Sequence, residues 1–320
     1  MSDLLTHWAV FEDCRRLAQG DPAVEPLFRE LIQTERDFAR LGAITRGGNR
    51  WIPTILQWAR ACWDDPARPA SAGRKVAFAL GGLTHAACDR LMKPLLSYCA
   101  RTDWNSAHHR MQGRLTDTPA GSEEAAIQEI SAYYDTYVFR QVYLSGEAEP
   151  FNRFLLAANE TAPGKALEEF VRALFQRALL SCHTIVPDQE HVLEWLDRLT
   201  TLVQPFYLDV DLWVRVFLAP DPAKMERYLV ETVFYRVTDR AIQVARALQR
   251  GEAVSTAQVQ RALEPGANES RYGQALETGI RYLRAASAFW RRELDEPALK
   301  DALDFGKPDV QTHPLRIPVG

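Results

Sequence analysis

Residues 71–96 read SAGRKVAFALGGLTHAACDRLMKPLL. Ser71 suits a helix N-cap, and Pro94 is expected to mark the far end. At about 100° per residue, Val76, Leu80, Leu83, Ala87 and Leu91 fall on one apolar stripe. Phe78, Gly81, His85, Asp89 and Met92 fall on a second. Only Lys75, Arg90 and Lys93 are left for water. A helix that is apolar on two sides is buried between other helices, so this segment is expected at the centre of the molecule. Gly81 and Gly82 each cost about 1 kcal/mol of helix propensity against Ala, and their expected role is close approach of a neighbouring backbone.

His85 and Asp89 sit one turn apart on an otherwise apolar face, so both should point inward. A buried carboxylate needs a cation, and a buried imidazole needs a partner. A metal ion would satisfy both, and so would a plain His–Asp hydrogen bond.

Outward from this rod the chain reads as helices. Apolar spacing predicts them over residues 3–18, 23–41, 51–63, 98–114 and 122–144. Further helices are expected over 165–180, from Pro187, and near 205–218. Asp221-Pro222 and Gly251 bracket one helix of about 29 residues, about 43 Å long. A last long one is expected near 270–294. No stretch alternates as a strand does. The expected fold is all-α: a single helical bundle over residues 1–300 around the central helix of about 72–93, with a Pro-rich extended tail over 301–320.

GGLTHAACDRLMKP, residues 81–94, resembles the central helix motif of the bacterial zinc-dependent phospholipase C family. There a His and an Asp four residues apart are followed by His-Pro, and the related single-strand nucleases share the helical fold and a three-zinc site. In this chain the pair is His85 and Asp89, the proline is Pro94, and Lys93 stands where the family has His. THWAVFEDC, residues 6–14, resembles the family segment whose early His ligates zinc, which nominates His7. In SAHHRMQGRL, residues 106–115, His108 matches a family ligand and Gln112 replaces the expected Glu. Residues 41–48 hold no carboxylate where the family places a metal-binding Asp, and Arg46 stands there instead.

What the resemblance implies is a phospholipase C-like, metal-dependent phosphoester hydrolase with a reduced site. Zinc would be held by His7, His85, Asp89 and His108, and Lys93 would contact the phosphate of a phosphoester or phospholipid head group. Glu124 or Asp135, on the polar stripe of the helix over 122–144, could replace a missing ligand. The alternative is a helical binding or scaffold protein that keeps the fold without the zinc cluster.

Composition narrows the setting. The chain has 320 residues, 47% of them hydrophobic, with a formal net charge of −4, which argues against a nucleic-acid-binding surface. The N-terminus lacks the apolar core of a secretory signal, and no run approaches a membrane span of about 18 residues. Five cysteines without CxxC spacing read as reduced thiols, and the expected location is the cytoplasm.

Overall fold

The computed structural model describes residues 4–44, 48–68, 72–111, 122–143, 212, 215–216, 219–266 and 269–304. In chain order the helices are α1 (Leu4–Gln19), α2 (Pro26–Thr34), α3 (Arg36–Ile44), α4 (Gly48–Cys62), α5 (Ala72–Met111), α6 (Ser122–Val138), α7 (Pro222–Arg227), α8 (Arg240–Gln249), α9 (Thr256–Ala262), α10 (Arg271–Trp290) and α11 (Glu296–Ala302). Two π-helical turns, Phe139–Tyr143 and Val230–Phe234, interrupt the series. There is no strand among the described residues, so the fold is all-α. No described helix is long and apolar enough to cross a membrane.

α5 is the axis. Helices α1, α2, α3, α4, α6 and α10 all pack on it. Val76, Leu80, Leu83, Ala87 and Leu91 are completely buried, as the first stripe requires. The glycines work as expected. A methyl group on Gly81 would lie 1.8 Å from the Ala39 carbonyl oxygen of α3, and one on Gly42 would lie 1.9 Å from that of Phe78.

Several sequence expectations need correction. Pro94 does not end the central helix; it lies inside α5, which absorbs the helix expected over 98–114. A proline inside a helix costs about 3 kcal/mol or more. Leu91, Met92, Leu95 and Leu96 are buried on both sides of it, and each such side chain contributes about 1.5–3 kcal/mol, so packing outweighs the break. Arg90 is not on a water-facing arc: it is buried, and its guanidinium donates to the Asp304 carbonyl at 2.5 Å. The helix expected over 23–41 is two, broken at Glu35, and the second runs through Gly42.

The helix of about 29 residues expected after Asp221-Pro222 is also broken. Leu229 takes a left-handed conformation (φ 57°), a π-turn follows, and α8 starts only at Arg240. The run Thr232 to Thr238, rich in β-branched and aromatic residues, has little helix propensity to hold such a rod together. Ser71, the helices expected over 165–180 and from Pro187, and all of the one expected near 205–218 except residues 212, 215 and 216, lie outside the described residues, as does the tail from residue 305.

The start of α10 is doubly capped. Asp239 accepts from the Ser270 amide at 2.7 Å and its hydroxyl at 2.5 Å, and that hydroxyl oxygen accepts from the Gly273 amide at 3.3 Å. Beside this cap Glu277 meets Glu269, and burial together with the Glu269 carboxylate pushes the Glu277 carboxyl up to about 9. Glu277 therefore keeps its proton at neutral pH, where one carboxyl can donate to the other.

Two outcomes follow from this packing. Propensity alone makes Gly81→Ala stabilising by about 1 kcal/mol; the contact with α3 makes it destabilising by about 1–3 kcal/mol. The midpoint of urea unfolding should therefore fall, and a midpoint that rises would show that the helices can part freely. Glu277 contributes stability that is complete below its ordinary value of 4.5 and lost as pH rises toward about 9. Glu277→Gln should flatten the pH–stability profile across that window, measured by urea unfolding at a series of pH values. A variant that keeps the wild-type slope would place the dependence elsewhere.

Candidate metal centre

α5 presents His85, Asp89 and Lys93 one below another at i, i+4 and i+8. α1 runs alongside and contributes His7. The two imidazoles stack, with ring centroids 4.4 Å apart and planes 20° from parallel. Asp89 lies at their edge. His7 Nε2 is 3.4 Å from Asp89 Oδ1, and His85 Nε2 is 3.3 Å from Asp89 Oδ2. One donor atom from each of the three residues lies within 4.8 Å of the other two, and this is the one such group of three among the described residues.

The surrounding helices fix the orientation of each ring. His85 Nδ1 donates to the Ala43 carbonyl of α3 at 3.0 Å. A carbonyl can only accept, so Nδ1 carries the proton and Nε2 turns its other face to Asp89. A ring nitrogen held this way is the usual support of a metal-ligating histidine. His7 is placed through its own helix. The Asp135 carboxylate of α6 accepts from the Leu5 amide at 3.2 Å, from the Thr6 amide at 2.8 Å, and from the Thr6 hydroxyl. Next to His7, the Trp8 indole donates to the Arg40 carbonyl at 3.0 Å and ties α1 to α3.

Both histidines are buried, whereas Asp89 keeps 17% of its side chain exposed and Lys93 keeps 49%, so the cluster opens to solvent on one side. Burial alone would raise the Asp89 carboxyl. The His85 and His7 imidazoles outweigh it and hold the group well below the usual carboxylate range. Lys93 Nζ reaches Asp89 Oδ2 at 2.5 Å.

The sequence-nominated residues thus separate. His7, His85, Asp89 and Lys93 come together. His108 lies on the same continuous helix, twenty-three residues past His85 and about 35 Å along the axis. Its side chain lies outside the described residues, as do Arg46, Gln112 and the Glu124 side chain. Asp135 is no substitute ligand here, since its two oxygens are taken up by the first turn of α1.

Sequence reasoning missed the buried charges that seat α1. Glu12 is fully buried and accepts from Arg15 Nε at 2.9 Å, from Arg36 Nε at 2.8 Å and Nη2 at 2.6 Å, and from Arg40 Nε at 2.7 Å. Burial would raise its carboxyl, but the three guanidinium groups overcome this and hold it far below the usual range. Asp13 pairs with Arg16 at 2.5 Å and with Arg246, and accepts from the Tyr272 hydroxyl at 2.9 Å. A usable signal was present: Glu12 and Arg15 at i, i+3, and Arg36 and Arg40 at i, i+4, each set on one helix face.

No family model, curated protein or solved structure matches this chain. The geometry itself can be tested without a ligand. Long-range 1H–15N spectra, taken under conditions that leave the rings neutral, should place the His85 proton on Nδ1. A resonance pattern with the proton on Nε2 would break the link to Ala43.

Proposed function

We propose that the chain holds one divalent metal ion, zinc by its ligand chemistry, between His7, His85 and Asp89, and uses it in phospholipase C-like phosphoester hydrolysis. The observation that carries this reading is a pair of distances. At 3.3 and 3.4 Å, the two Nε2···Oδ separations are long for a charge-assisted hydrogen bond, which is about 2.7–2.9 Å. Each ring nitrogen faces its own Asp89 oxygen, and one donor atom from each of the three residues lies within 4.8 Å of the other two, which leaves room for an ion to draw them in to about 2.0–2.2 Å. Two nitrogens and a carboxylate with an open fourth position form the donor set of a hydrolytic zinc site. Such an ion, when bound, supplies Lewis acidity at a phosphoryl oxygen and lowers the pKa of water.

The chain's own residues do the rest. Ala43 and Asp135 hold the two imidazoles in register. Asp89 contributes the negative charge. Lys93, half exposed at the open side and paired with Asp89, would turn to a substrate phosphate. Among the described residues Cys14, Cys62, Cys88 and Cys99 are not paired in disulfides with one another, in keeping with a reducing compartment, and we read the protein as cytoplasmic on that basis.

One observation favours the alternative, a helical binding or scaffold protein. The Lys93 ammonium already gives Asp89 a cation. Metal content decides between the two readings. Protein purified without chelator should carry about one zinc per chain by atomic emission, and His7→Ala, His85→Ala and Asp89→Ala should each lose it. Metal-dependent hydrolysis of an aryl phosphate should fall at least about 100-fold in the same variants. Protein that takes up no zinc and keeps its stability in chelator would establish the scaffold.

A further inference from the structure

Lys93 occupies a position that ordinary metal ligation would leave to a neutral or anionic group. Its ammonium lies 2.5 Å from Asp89 Oδ2, the same oxygen that faces His85 Nε2 at 3.3 Å. A cation that takes Oδ2 together with His85 Nε2 shares that oxygen with the ammonium or displaces it, and one that takes Oδ1, on the His7 side, still has the ammonium on the other oxygen of the same carboxylate. Displacement needs little rearrangement, because Lys93 is half exposed on a flexible four-carbon stem while both histidines are buried.

Charge then decides what else must bind. Ligating imidazoles are neutral. The Asp89 carboxylate and the Lys93 ammonium cancel, so both charges of a divalent cation stand uncompensated beside two buried rings. Two buried carboxylates of the neighbouring helices, both among the described residues, are engaged elsewhere. Asp135 is committed to the first turn of α1, and Glu12 to three guanidinium groups. Compensation must come through the open side, where the displaced ammonium would wait.

We infer that Lys93 couples the two ligands of the site: a divalent cation binds at His7, His85 and Asp89 together with a dianionic phosphoryl group, which draws the Lys93 ammonium away from Asp89. The inference rests on the metal reading above and narrows its substrate class to phosphomonoesters, whose phosphoryl group is a dianion, over phosphodiesters, which carry a single charge. By linkage the coupling is reciprocal, so the dianion tightens the cation and the cation tightens the dianion.

Cobalt(II) is a suitable probe, followed by its visible absorption in the full-length protein at constant ionic strength. Exchanging chloride for sulfate should tighten cobalt about five- to tenfold in the wild type, whereas the monoanion dimethyl phosphate should change it less than about twofold. Lys93→Met should bind cobalt at least about fivefold more tightly than the wild type in chloride, and lose most of the sulfate effect. Near-UV circular dichroism would check that the variant is folded. Equal cobalt affinity in the wild type and Lys93→Met, with no sulfate effect, overturns the coupling and leaves the metal reading standing. Dimethyl phosphate acting as strongly as sulfate overturns the preference for a dianion. Absence of cobalt binding in both proteins under every condition overturns the coupling and the metal reading together. Binding seen only in Lys93→Met, with none in the wild type even in sulfate, overturns the coupling and the metal reading for the natural chain.

Discussion

Where α3 crosses α5, no side chain separates the two backbones. Gly42 on one helix and Gly81 on the other leave room for the Phe78 and Ala39 carbonyls, and any added carbon would collide with them. Gly82 leaves similar room for the Trp51 ring of α4. This contact sets the position of every residue in the last turn of α3. Ala43, one residue past Gly42, thereby brings its carbonyl within reach of His85, one turn past Gly81. The helix-propensity cost of these glycines and the orientation of an imidazole are thus two sides of one packing choice. A larger residue at either crossing would push the Ala43 carbonyl outward and release the ring.

The second support is electrostatic. Helix α1 carries His7 on the same rod that carries Glu12 and Asp13, and those carboxylates are locked by arginines of α1, α3 and α8. Buried ion pairs contribute modestly to net stability, because desolvation consumes most of the Coulomb attraction. They are strict about geometry, however, since a mispaired buried charge is very costly. The lattice therefore fixes how far α1 slides and turns against its neighbours. Asp135 fixes its first turn, and Trp8 fixes it against α3. His7 inherits its position from all three.

Much of this was legible in the sequence, and the limits have physical causes. The two stripes of residues 71–96 were enough to place the central helix and to turn His85 and Asp89 inward, because burial on two faces leaves little freedom. Helix ends were harder. Pro94 and Gly42 are local signals, and both were overruled by packing that depends on residues far along the chain. The break after α7 came from Leu229 and the β-branched run beyond it, which a cap-to-stop reading passes over. In the site, side-chain chemistry could nominate His7, His85, Asp89 and Lys93. It could not reveal the Ala43 carbonyl, since a backbone acceptor leaves no mark on residue identity. It also could not give the distance of His108 along the helix, which follows only from α5 being continuous past Pro94.

His7 and His85 are neighbours in space but lie roughly eighty residues apart along the chain. An ion gripping both would act as a removable crosslink, closing a loop that takes in α2, α3 and α4. Loops of that length are costly to close by chance, so the grip would restrict the unfolded chain more than the folded one. Occupancy and mechanical integrity of the amino-terminal half would then rise and fall together.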